Sequence, residues 1–291
     1  MTKQVKADLM IIVVALFWSF SYFLIDISLE ELGPFALNAY RFIGAFLAAM
    51  ALAYKSLSKV SKDTIKYSAG IGLVLSAVYI FASYGVKYTS VSNAGFLCAM
   101  PVVFTPIIAF FVKGIRPEKK LIFVVFLSTV SIALLTFNEQ LKPALGDILC
   151  LLCALSGSVH LLLVETAVRK ESVNAFHLGV YQLAFVGIFN LILSLFFDTS
   201  FVPQSPDIWK AVIFLSVFCT GVVFVLLTMA QKHTSASHVG VLLTLEPVLA
   251  GFVAFYFAGE ILLPRAYAGA VMLILGILIL EIDLKKLFRL G

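Results

Sequence analysis

Charge is what this sequence has least of. Only 13% of its 291 residues are Asp, Glu, Lys or Arg, against 62% hydrophobic, and mean hydropathy is +1.06. A soluble globule needs roughly a quarter of its residues charged to cover its surface, so that class is excluded. Long polar stretches are missing too. The longest linker, around residues 198–207 (DTSFVPQSPD), is too small to fold, so any activity lies within the apolar segments. No G-x-x-x-x-G-K-[ST] loop occurs, and ATP-driven work would need a partner. Cysteine is limited to Cys98, Cys150, Cys153 and Cys219, all in apolar segments. The C-x-x-C of Cys150 and Cys153 lacks the second ligand pair that zinc requires, and all four thiols read as small packing residues. No metal or cofactor is expected. No small-residue cleavage site follows Trp18, so the first apolar run reads as a retained helix, not a signal peptide.

What is present is apolar text in ten runs. They lie near residues 7–27, 35–53, 66–84, 93–112, 121–136, 146–168, 175–197, 209–230, 235–258 and 266–282. Crossing a bilayer as a helix takes roughly 17–25 residues. The short alternating segments of a transmembrane barrel do not occur. The expected fold is all-α and integral to the membrane. Sixteen Lys and Arg residues fall in the alternate connections that begin with the amino terminus; the others hold four, Lys87, Lys142, Lys210 and Arg265. The positive-inside rule then places both termini in the cytoplasm, in a multi-pass protein of the plasma (inner) membrane. The same bias accounts for the net charge of +5 without a nucleic-acid partner.

The chain also repeats itself. Residues 86–114 (VKYTSVSNAGFLCAMPVVFTPIIAFFVKG) match residues 231–259 (QKHTSASHVGVLLTLEPVLAGFVAFYFAG). At an offset of 145, Lys87, Thr89, Ser90, Ser92 and Gly95 meet Lys232, Thr234, Ser235, Ser237 and Gly240. One inserted residue brings Pro101 onto Pro247. A fainter echo at an offset of 139 sets Asp8, Ala15, Leu16 and Ser19 on Asp147, Ala154, Leu155 and Ser158. The reading is two five-helix units, residues 1–138 and 139–291. Five is odd, so the second unit enters the bilayer the other way up. Inverted repeats of this kind suit alternating access, with substrate near the midplane.

A few polar residues interrupt the runs. Glu246 sits midway along the ninth, where a carboxylate facing lipid costs about 2.5–3.5 kcal/mol. It must face the bundle interior, either fixing helix packing through hydrogen bonds or serving proton coupling or a substrate ammonium. Pro247 frees the carbonyl of Leu243 and predicts a kink, as Pro101 and Pro106 do for Leu97 and Val102. Such carbonyls are tolerated only against protein or water. Arg41 is the second intramembrane charge. It could snorkel outward, pair with Asp26 or Glu246, or hold a substrate carboxylate. His160, one turn after Ser156, is either a hydroxyl-satisfied core residue or a titrating cavity residue. Asn93, Tyr181, Gln182 and Asn190 are candidate interhelical hydrogen bonders.

Four stretches carry a family resemblance: ALFWSFSYFLID (15–26), GPFALNAYRFIGAFLAA (33–49), TSVSNAGFLCAMPVVFTPIIAFF (89–111) and TSASHVGVLLTLEPVLAGFVAFYFAGE (234–260). In this order, with the last two as repeats, the chain resembles the drug/metabolite transporter superfamily in its ten-helix EamA-like branch. One departure is Gly114-Ile115, where the first copy of relatives carries glycine-glutamate; the second copy keeps Gly259-Glu260. The resemblance implies that helices 1 and 3 line a cavity, which makes Trp18, Tyr22, Tyr79 and Tyr84 pocket candidates. It also implies export of small metabolites such as amino acids. The expected function is thus a secondary transporter of amino acids or related zwitterions, not an enzyme, a monomer or homodimer in the lipid bilayer. The pocket is expected between helices 1, 3, 4, 6, 8 and 9, with 5 and 10 peripheral. An integral-membrane enzyme using His160 with Glu246, and a channel or non-transporting protein, stay open as alternatives.

Overall fold

The computed structural model describes residues 2–89, 97–114, 116–136, 145–246, 248–249, 253 and 264–281. These form ten helical elements and no strand among the described residues. They are α1 (Lys3–Ser28), α2 (Pro34–Leu57), α3 (Lys62–Tyr88), α4 (Pro101–Lys113) and α5 (Lys119–Thr136). The rest are α6 (Leu145–Val168), α7 (Ala175–Phe197), α8 (Pro206–Gln231), α9 (Ala236–Leu243) and α10 (Pro264–Glu281). Six of them, α1, α2, α3, α6, α7 and α8, are long and apolar enough to cross a membrane. Side chains such as Leu52, Phe111 and Phe196 project from the surface, which suits hydrocarbon and would be a liability in water.

Small polar residues start these helices. Thr2, Ser61, Asn174, Ser205 and Ser235 each accept a hydrogen bond from a first-turn amide of the helix that follows. Capping by Ser61 extends α3 four residues ahead of the apolar run that begins near residue 66. Gly114, at φ 65°, ends α4 in the left-handed conformation a side chain resists. Two expected spans come out divided. The chain turns at Ala99–Met100, and Pro101 opens α4 as its first residue, where a missing N–H is harmless. Pro101 therefore starts a helix instead of kinking one, and the Leu97 carbonyl accepts from Met100 N–H at 3.2 Å. α4 continues through Pro106. The ninth run breaks at Thr244, whose N–H and hydroxyl both turn back to the Val241 carbonyl. Pro247 lies outside the described residues.

Neighbours follow a rule of five. α2 packs on α7, α4 on α9 and α5 on α10; α3 packs on α6 as α1 does on α8, and α4 on α6 as α1 does on α9. Adding or subtracting five turns every one of these pairs into itself or another. The α2–α7 contact needs Gly187, since a Cβ there would fall 2.8 Å from Ile43 N. We expect Gly187→Leu to part these helices and destabilise the fold by about 1–3 kcal/mol or more. A thermal unfolding midpoint unchanged in detergent would contradict that packing.

The connections obey the same exchange. At the face carrying the amino terminus, Ser61 Oγ donates to the Ser172 carbonyl (2.8 Å), and Asn174 N–H donates to Thr64 Oγ1 (3.3 Å). At the opposite face Glu31 accepts from the amides of Gln204 and Ser205 at 2.6 and 3.0 Å. There Gly33 N–H reaches the Ser200 carbonyl, and Ala36 N–H reaches Asp198 Oδ2 at 2.6 Å. The backbone donors of Ser205 and Gln204 hold Glu31 below the ordinary glutamate pKa, Ser205 contributing most. A lowered folded pKa gives stability that is present above the unfolded value and lost as pH falls through the folded one. Protection factors of the Gln204 and Ser205 amides, corrected for the intrinsic pH dependence of exchange, should accordingly fall on acidification, and Glu31→Gln should remove that acid-side loss. Burial pushes Asp198 the other way, so the two carboxylates of this tie have opposite pH slopes.

Candidate functional site

A cavity of about 140 Å³ opens between α1, α3, α6, α8, α9 and the turn before α4. α1 and α3 contribute the halves leading to the face opposite the amino terminus, α6 contributes its middle. Trp18, Tyr79, His160 and Glu246 all line it. A residue the sequence did not single out joins three of them. Phe224 meets the rings of Trp18, Tyr79 and His160 edge-on, at centroid distances of 5.7, 6.0 and 6.1 Å. It is one of 27 phenylalanines, and nothing in the sequence marks it.

His160 is tied from behind. Gln182 turns its amide nitrogen to Thr228 Oγ1 (3.3 Å), so its oxygen accepts from His160 Nε2–H at 3.0 Å. The neutral ring then keeps Nδ1 as its acceptor, on a side chain that lines the cavity. The hydroxyl partner expected from Ser156 is replaced by this amide. Ser21 and Ser83 add oxygens to the wall: Ser21 Oγ donates to the Trp18 carbonyl, and Ser83 Oγ accepts from Asn38. The Trp18 indole Nε1 is buried without an acceptor among the described residues. Glu246 is half-buried on the same wall, just past the break at Thr244.

Arg41 stands apart. It is 1% exposed and does not reach the surface, which removes snorkelling. Its guanidinium lies over the ring of Tyr79 at 4.9 Å, and Nε donates to Thr220 Oγ1 at 3.3 Å. Thr220 belongs to a π-helical stretch of α8, Val217–Val222, whose widened turn brings it toward α2. Among the described residues, Nη1 and Nη2 have no hydrogen-bond partner and no carboxylate pairs with Arg41. The expected pairing with Asp26 or Glu246 is thus replaced by an aromatic face. Asp26 instead borders a separate recess with Glu30, Glu31 and Lys87 at the end opposite the amino terminus.

Tyr84 also departs from the pocket expectation, stacking with Tyr88 and meeting Phe35 edge-on at that same end. Asn93 lies outside the described residues, and so does the side chain of Tyr22. Pro101 touches the cavity, whereas Pro106 is buried within α4. Asn190 bonds the Val186 carbonyl of its own helix, not a neighbouring one. Tyr181 reaches the carbonyl of Leu57 at the end of α2.

This arrangement can be set beside known proteins. The profile of the EamA-like transporter family matches residues 5–137 and again residues 144–282. The chain belongs to that family. An uncharacterized transporter of Archaeoglobus fulgidus is 29% identical over 280 residues, covering 96% of this chain and 87% of the relative. The uncharacterized transporter YcxC of Bacillus subtilis is 28% identical, with coverage of 98% and 95%. A solved crystal structure superposes with a TM-score of 0.81 at 18% identity, over 97% of this chain and 98% of that one. That likeness concerns the fold alone. The EamA-like chain is therefore a multi-pass membrane protein of a transporter family, and Glu246, His160, Trp18 and Tyr79 form the polar wall of its central cavity.

Proposed function

We propose that this EamA-like protein is a secondary transporter that moves small organic metabolites by alternating access between two inverted five-helix halves. The observation that carries the reading is the cavity itself. Its walls come from both halves, in helices that the rule of five exchanges: α1 with α6, α3 with α8, and the turn before α4 with α9. The ties at the two ends are exchanged as well, which supports two symmetry-related ways of closing the bundle. Asp8 and Asp147, matched in sequence, add to this. Asp147 accepts from Thr89, and Asp8 accepts from Gln4, which also donates to Thr234. Thr89 and Thr234 are themselves a matched pair, at opposite ends of the bundle.

The distribution of Lys and Arg supports a plasma-membrane protein with both termini cytoplasmic, and export is the proposed direction. The enzyme alternative is less favoured, because the matching family is one of transporters and His160 Nε2 is engaged by Gln182. The test is counterflow into proteoliposomes across a broad metabolite panel. Saturable exchange of at least one compound is expected, and its absence across the panel would remove the proposal.

A further inference from the structure

We infer that the central cavity selects small protonated amines with an apolar body, and discriminates against zwitterions and carboxylates. This rests on the transporter reading and specifies the chemical class of its substrate. Four features of the cavity point the same way. Glu246 is the sole carboxylate side chain among the described lining residues, and no Lys or Arg lies among them. The one guanidinium nearby, Arg41, is buried behind Tyr79. Aromatic rings of Trp18, Tyr79 and Phe224 border the same space, and such faces attract ammonium groups. Glu246, His160, Ser21 and Ser83 bring acceptor-bearing side chains to the lining, which suits an ammonium with two or three N–H donors.

A substrate carboxylate would find the reverse. Among the described residues, the one buried, unmatched donor on this wall is the indole N–H of Trp18, and no Lys or Arg lines it to neutralise the anion. Burying an anion without a counter-charge is strongly unfavourable. An amino acid thus gains from its ammonium and loses through its carboxylate, while the corresponding decarboxylated amine only gains. Size agrees. At roughly 10–15 Å³ for each water-sized position, about 140 Å³ holds on the order of ten such positions. That suits a compact arylalkylamine.

The experiment varies the ligand, so it does not depend on a variant that folds. Binding of phenethylamine, phenethyl alcohol, 3-phenylpropionate and phenylalanine to the purified full chain in detergent is measured by calorimetry, and counterflow of each in proteoliposomes. Phenethylamine should bind at least about tenfold more tightly than the neutral alcohol, the factor one charge-assisted hydrogen bond supplies. Phenylalanine and phenylpropionate should bind more weakly than the amine. Glu246→Gln, checked for a monodisperse profile, should erase the difference between amine and alcohol. Equal or tighter binding of phenylalanine would overturn the assignment of substrate class. Saturable flux of other metabolites with no preference for amines would also overturn it, leaving transport intact. Tight amine binding with no flux of any compound would instead remove the transport reading and keep the cation site.

Discussion

Arg41→Met is expected to make this protein more stable and to stop it transporting. Bringing a guanidinium out of water costs several kcal/mol even after relaxation. Against that, the cation–π contact with Tyr79 supplies about 2 kcal/mol and the bond to Thr220 about 1 kcal/mol. With Nη1 and Nη2 unmatched, the desolvation cost wins in this conformation. Methionine fills similar volume without that penalty. The thermal unfolding midpoint should rise. Flux should fall to background, because a charge so poorly served in one conformation is retained for partners met in another. A variant that loses stability, or one that transports normally, would show that the guanidinium is satisfied where it stands.

Glu246→Gln is expected to abolish the dependence of flux on a pH gradient. The carboxylate lies in a segment where charge is costly, yet it borders the cavity and not lipid. Glutamine keeps the shape and most hydrogen bonds but cannot exchange a proton. Folding should survive, as size-exclusion profile and helix content would report. Gradient-driven accumulation in proteoliposomes should vanish. Undiminished accumulation would remove Glu246 from proton coupling.

Local chemistry was legible in the sequence where it acts locally. Thr2, Ser61, Asn174, Ser205 and Ser235 stand ahead of apolar runs, and each caps the helix it precedes. Pro101 marked a place where a run is interrupted, although proline alone does not say whether it bends a helix or begins one. Tyr79 and Tyr84 show the limit. They are five residues apart on α3, about 140° around a helix of 3.6 residues per turn, so they cannot share a face. Which of them faces the cavity depends on α6 and α8, which pack elsewhere in the chain. Arg41 was conspicuous for its charge, but its aromatic partner leaves no mark in the text. The π-helical stretch of α8 and the hub at Phe224 had no signal at all, because both arise from how distant segments pack.

The two end ties are not equal in one respect. α7 begins with Asn174, whose own side chain satisfies His177 N–H. α2 begins at Gly33, which offers no side chain, and its Ala36 amide is served by Asp198 from the other half of the molecule. Pulling the halves apart at that end would strand a helix terminus, whereas separation at the amino-terminal end leaves α7 self-sufficient. In the proposed alternating-access cycle the two openings would therefore differ in energy, and this polarity would come from which loop carries the aspartate.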